Sequence, residues 1–140
     1  MEITRRNVRK NVQNKRWREQ NREKWLASHN KSNTKMRLQA LRVVVAGGVN
    51  KVTGTEILKC ENCGCDDVSL LQINHLNGGG YKEAKKTWGK GYTSNLWQRI
   101  LHHGRDVSDL NLLCGPCNTL SYLKRMYPNK ERFPTVTWQE

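Results

Sequence analysis

The chain has 140 residues, with 25 Lys and Arg against 12 Asp and Glu, for a formal net charge of +13. That length holds one compact domain plus an extension, and it contains no run of about 18 apolar residues that would span a membrane. Hydrophobic residues are 36% of the chain, so any core is lean, and the charge favours a polyanionic partner over a membrane or a cationic substrate.

The charge is not evenly spread. Residues 1–40 carry twelve Lys and Arg and three Glu, or +9, and the remaining hundred carry thirteen against nine, or +4. Residues 1–34 therefore read as a basic arm. It has no Pro or Gly, so helix is allowed, but its apolar residues (Val8, Val12, Trp17, Trp25, Leu26) are too sparse for a continuous stripe. Arg5, Arg6, Arg9, Lys10, Lys15, Arg16 and Arg18 are placed to neutralise phosphates and release counterions. Trp17 and Trp25 are available to stack on bases or to pack on the domain. No apolar segment follows the N-terminal charges, so a secretory signal is not expected and an intracellular location is.

Residues 35–59 read as a helix and linker. Met36, Leu38, Leu41 and Val45 recur at near-helical spacing, which predicts a helix of about 34–46 stopped by Gly47 and Gly48. The β-branched run Val43–Val45 leaves a strand open there.

Five cysteines follow, four of them as Cys60-x-x-Cys63 and Cys114-x-x-Cys117. Each C-x₂-C turn points two thiolates at one tetrahedral ion, and two such turns close a structural Zn²⁺ site. Disulfides fit less well with an odd cysteine count and no secretion signal. Cys65 is a bystander or a replacement for Cys63 as ligand. A metal also offsets the lean core, because its binding free energy is folding free energy.

Between the pairs, Ser69–His75 reads as a strand ended by Asn77-Gly78-Gly79-Gly80. A second strand is expected at Leu110–Leu113, then a helix with Pro116 near its start and Leu120, Leu123 and Tyr127 on one face. The fold class is thus α+β, a small zinc-stapled ββα unit over 60–127 behind a mainly helical extension, with 128–140 as a C-terminal tail. The inserted loop, 81–109, is long for a hairpin. It carries its own helix through Leu96, Trp97, Ile100 and Leu101, which Gly104 can cap. His75 ends the first strand and Asn118 follows the last cysteine, so zinc-pinned backbone brings the two together.

The set Cys60-x-x-Cys63, Ile73-Asn74-His75-Leu76-Asn77-Gly78-Gly79-Gly80 and Asn111-Leu112-Leu113-Cys114-x-x-Cys117-Asn118 resembles the HNH (ββα-metal) endonucleases with a zinc-knuckle frame. It is similar to small phage and prokaryotic HNH proteins that carry IDHxxGGG and LCxxCN segments. The resemblance covers about residues 59–127 and implies a nuclease that nicks or cuts DNA, with RNA left open. In it, His75 is the general base, residue 74 and Asn118 hold one catalytic Mg²⁺ or Mn²⁺, and the four cysteines are structural. Lys124 and Arg125 join the arm in gripping phosphates. The oligomeric state is left open by the sequence; a double-strand cut by one site per chain would favour a homodimer.

Two positions depart from the pattern. The family usually has Asp where this chain has Asn74, a neutral and weaker ligand for a hard cation. Relatives also tend to carry a His shortly after the glycines, where this chain has Lys82 and Glu83, and Glu83 is a candidate for the missing carboxylate. His102 and His103 are expected on the surface near a helix end. The alternative function is a nucleic-acid-binding protein on an HNH frame that no longer cleaves. A zinc-stapled protein-binding module is a third.

Overall fold

A computed structural model describes residues 5–87 and 96–139, excepting the side chains of 5–10, 84 and 87. Among the described residues the chain is mixed and mostly helical, with one two-stranded antiparallel sheet. It divides into two compact units, Met1–Lys35 and Met36–Glu140.

The first unit holds α1 (Arg5–Gln20) and the start of α2 (Arg22–Ala46). Asn21 separates the helices. Both its backbone N–H and its side-chain Nδ2 donate to the Trp17 carbonyl at 2.9 Å, and such local side-chain bonding competes with helix propagation. Trp25 stacks on His29 with ring centroids 5.1 Å apart, and the Arg18 guanidinium lies 6.0 Å from the Trp25 ring. Trp17 stays 52% exposed.

The helix expected to begin near residue 34 starts instead at Arg22 and runs through the arm's expected end. Its polar first half gives no apolar periodicity from which a start could be read. The strand left open at Val43–Val45 is helical, because Ala40, Leu41, Val43 and Val44 are buried along that helix, and burial outweighs intrinsic β preference. Gly47 ends it in a left-handed conformation at φ +83°, its N–H and that of Gly48 both reaching the Val43 carbonyl.

In the second unit, a 3₁₀ turn at Val68–Leu70 leads into β1 (Leu71–His75). Residues 69 and 70, expected in the strand, belong to that turn, which Asp67 ties by accepting from the Ser69 N–H at 2.9 Å and its hydroxyl at 2.6 Å. Arg37 of α2 donates to the carbonyls of Val68 (2.6 Å) and Leu71, fastening the strand entrance to the helix. β2 (Leu110–Cys114) pairs with β1 in the register Leu71–Cys114, Ile73–Leu112, Asn74–Asn111 and His75–Leu110. α5 (Gly115–Met126) follows at once, with Pro116 in its first turn.

Within 81–109, α4 (Leu96–His102) lies where a helix was expected, followed by Gly104 at φ +65°. Residues 88–95 of that segment lie outside the described residues. A further helix, α3 (Gly80–Thr87), begins on the last glycine of the run. The glycines that end β1 thus also open a helix, which apolar periodicity does not signal.

The core joins Leu41, Val43 and Val44 of α2 to Leu71, Ile100, Val107, Leu110 and Leu112. Full burial of a Leu or Ile contributes about 1.5–3 kcal/mol, and few are available. Cys60, Cys65, Cys114 and Cys117 are buried in the same cluster.

Candidate functional site

Two chemical features share the β1–β2–α5 unit. The first is the cysteine cluster. The Sγ atoms of Cys60, Cys63, Cys114 and Cys117 lie within 4.8 Å of one another, and all the cysteines are free thiols. Four sulfurs at about 2.3 Å from a tetrahedral Zn²⁺ would stand about 3.8 Å apart; Cys63 and Cys114 are already 3.6 Å apart.

The first turn closes through Gly64, at φ +77°, whose N–H bonds the Cys60 carbonyl at 3.0 Å. Cys65 is buried beside this turn, outside the four-sulfur cluster, and contributes its carbonyl to the Cys60 N–H at 2.8 Å. Burial raises the Cys60 thiol, but hydrogen bonds from the backbones of Cys63, Cys114 and Asn62 outweigh it and bring the thiol down to about 7. Burial pushes Cys114 up to about 12 and raises Cys117 as well. The Asn62 amide donates to the Cys117 sulfur at 3.2 Å. Four thiols that cannot all ionise unaided, closed around one point, suit a bound metal ion such as zinc.

The second feature is a groove of about 590 Å³ between the end of β1, the glycine run and α5. Asn74, His75 and Asn118 all line it, with Tyr122 and Arg125 on the α5 side. Lys124 lies outside its lining and faces a neighbouring hollow that Arg125 also lines.

The His75 ring is held on two sides. Its Nε2 lies 3.3 Å from Glu83 Oε2. Glu83 is itself clamped by Arg99 at 3.1 Å and by Arg105 at 2.6 Å. Arg105 also grips Asp109 through two bonds of 2.8 and 2.9 Å, which raises its own pKa. Burial pushes the Glu83 carboxyl up, but the bonds from Arg105 and His75 and the charges of both arginines more than offset this, so its pKa is lowered.

An ionised carboxylate only accepts, so Glu83 makes Nε2 the protonated nitrogen and leaves the Nδ1 lone pair free. On that edge, a Cβ at Gly80 would lie 2.9 Å from both Nδ1 and Cε1 of His75. The absent side chain is therefore what lets the α3 start close against the ring.

Glu83 is not placed to supply the carboxylate that the sequence pattern lacks. Its engagement with His75, Arg99 and Arg105 makes it instead the group that orients His75, and it is not among the groove's lining residues.

Asn74 is 6% exposed. Its Nδ2 donates to Asn111 Oδ1 at 2.8 Å, and the Asn111 Nδ2 donates to Glu61 Oε2 at 2.7 Å. Asn118 Nδ2 donates to Gln72 Oε1 at 2.8 Å. In both groove amides the nitrogen is bonded and the oxygen has no donor among the described residues. An amide oxygen is a neutral, weak ligand for a hard cation. Among its described lining residues the groove has no carboxylate, so such an ion would be shared with an anionic ligand rather than caged by protein.

Of the remaining expected residues, Lys15, Arg16 and Arg18 are exposed on α1, whereas the side chains of Arg5, Arg6, Arg9 and Lys10 lie outside the described residues. His102 and His103 are exposed at the end of α4. Sequence reading missed the roles of Arg99, Arg105, Glu61, Gln72 and Asn111. The available signals were polar residues breaking apolar runs: Arg99, beside Gln98, in Leu-Trp-Gln-Arg-Ile-Leu and Asn111 in Leu-Asn-Leu-Leu.

The chain matches no family model, no curated protein and no solved structure. Among the described residues, no helix is long and apolar enough to cross a membrane.

Proposed function

We propose that the protein is an HNH-type endonuclease that hydrolyses phosphodiester bonds in DNA, its frame closed by Zn²⁺ on Cys60, Cys63, Cys114 and Cys117. The observation that carries this reading is the convergence of His75, Asn74, Asn118 and Arg125 on one groove, with the Glu83 carboxylate 3.3 Å from His75 Nε2.

The reaction then follows from the residues. His75 Nδ1 accepts a proton from a water molecule as that water's oxygen forms a bond to phosphorus. The P–O ester bond on the opposite side breaks, and the leaving alkoxide takes a proton from solvent. Glu83 stabilises the imidazolium that forms on His75 and prevents the ring from turning. Arg125 holds a phosphate oxygen at the groove wall. Asn74 and Asn118 present amide oxygens to a Mg²⁺ or Mn²⁺ ion, which when bound supplies positive charge to the phosphate and the leaving oxygen. The basic arm and Lys124 hold the polyanion without taking part in chemistry.

A second reading, nucleic-acid binding without cleavage, is favoured by one observation: the described lining of the groove holds Lys82 and Arg125 and no carboxylate. Plasmid nicking in Mg²⁺ and in Mn²⁺ separates the two. The nuclease reading expects nicks that disappear in His75→Ala. Zinc-loaded protein that binds DNA, cuts none in either metal and stays inactive as Asn74→Asp would leave binding alone.

A further inference from the structure

Glu61 lies inside the first cysteine turn, between Cys60 and Cys63, and its backbone N–H bonds the Leu112 carbonyl of β2 at 3.0 Å. From there its carboxylate starts a hydrogen-bond chain with a fixed direction. A carboxylate accepts and does not donate, so Asn111 must turn its Nδ2 toward Glu61, as it does at 2.7 Å. Asn111 then shows Oδ1 to the residue directly across the sheet, Asn74. Asn74 meets it with Nδ2 at 2.8 Å. Its oxygen is the atom left over, on a side chain too buried to turn into water.

An isolated asparagine can present either end of its amide, and the two ends are hard to tell apart. Here the ion at the head of the chain decides the orientation of both amides. The same logic bears on why residue 74 is an amide. A carboxylate there would face Asn111 Oδ1 with another acceptor. Asn111 could relieve that contact only by turning its Nδ2 toward residue 74, which would set its Oδ1 against Glu61. One acceptor–acceptor contact survives in either arrangement, at the buried Asn74 end or at the exposed Glu61 end, and at the buried end such a contact is costly.

We propose that Glu61 is a positioning residue that dictates an amide at position 74 and presents Asn74 Oδ1 to the cation of the groove. Asn74 is then the partner that the Glu61–Asn111 polarity requires, not an eroded Asp. The cation clause rests on the proposed nuclease site; the polarity of the chain does not.

The test is a double-substitution cycle on the full-length, zinc-loaded protein, read first as melting temperature. Asn74→Asp alone lowers Tm. Glu61→Gln alone changes it little, because the glutamine oxygen still accepts from Asn111. Added to Asn74→Asp, Glu61→Gln raises Tm, because its amide nitrogen can donate to the reversed Asn111. A double variant no more stable than Asn74→Asp overturns the polarity argument.

If Asn74→Asp fails to fold, slow hydrogen exchange of the Asn74 and Asn111 side-chain amides replaces it as the readout. Protection lost in Glu61→Ala and kept in Glu61→Gln supports the chain; equal protection in both variants overturns it. The ligand clause is read separately, by Mn²⁺ titration with a cleavage-resistant phosphorothioate DNA duplex present to supply the anionic ligand. Glu61→Ala should weaken Mn²⁺ binding by about 10–100-fold, the usual cost of losing a group that orients a metal ligand, and Glu61→Gln should restore it. Unchanged Mn²⁺ affinity overturns the assignment of Oδ1 as a ligand, whatever the outcome for the hydrogen-bond chain. A chain that behaves as expected in a protein that cuts no DNA would sink the nuclease reading alone.

Discussion

Asn111 and Cys114 stand three residues apart on β2, yet they serve regions assembled on opposite principles. In the cysteine cluster the four ligands are chemically alike, two turns supply them in pairs, and neighbouring backbone N–H groups set the sulfur environment. In the groove the functional side chains are of different kinds, and each is aimed by a partner on another element. Glu83 of α3 aims His75, with Arg99 and Arg105 behind it. Asn111 aims Asn74, and Gln72 aims Asn118. The first region is specified locally and fails as a unit. The second is specified by the fold and can lose one member while the rest stands.

That contrast is broken most severely from the cysteine side. Cys114→Ser, or removal of zinc with a chelator, should unfold residues 36–140, because structural zinc sites carry an apparent ~10–16 kcal/mol and the apolar core is small. Loss of amide dispersion in an NMR spectrum is the check, and a well-dispersed spectrum without metal would show that the core suffices.

The groove should respond in the opposite way. His75→Ala is expected to reduce cleavage by about 10²–10⁴-fold, the usual contribution of a general base, with zinc content and Tm nearly unchanged. Gly80→Ala asks whether ring placement matters beyond ring presence. The added methyl, 2.9 Å from the imidazole, must displace it. A displacement near 1 Å can cost about 10²-fold in rate, so a single-turnover assay should show a slow step with substrate binding retained.

Acid stability probes the Glu83 clamp. The Glu83 pKa is lowered from 4.5 in the folded state. Its stabilisation is therefore fully present above pH 4.5 and is lost as pH falls through the lower folded value. Glu83→Gln should remove that part of the acid transition and lower stability at neutral pH by about 1–3 kcal/mol, leaving Arg99 buried with a weaker partner. Urea melts at pH 7 and pH 3 measure both effects; an equal loss at the two pH values would count against the clamp.

The smallest effect belongs to the arm. Replacing Lys15, Arg16 and Arg18 with alanine should leave stability and the rate of the bound complex unchanged. It should flatten the dependence of log affinity on log salt by about 0.9 per phosphate contact removed.

The sequence itself carried the cysteine frame, the two strands, α5 and the placing of His75 with Asn118, because C-x₂-C spacing, period-two alternation and Gly or Pro boundaries are local signals. It also carried the concentration of charge in residues 1–40. Three things required tertiary structure. The choice of helix over strand at Val43–Val45 depended on burial of Ala40, Leu41, Val43 and Val44, which only packing reveals. The use of Glu83 depended on Arg99 and Arg105 arriving from 16 and 22 residues away. The orientation of the Asn74 amide depended on Asn111 across the sheet and Glu61 beyond it. A sequence lists donors and acceptors; which of them meet, and which atom is left over, is decided only once the chain has folded.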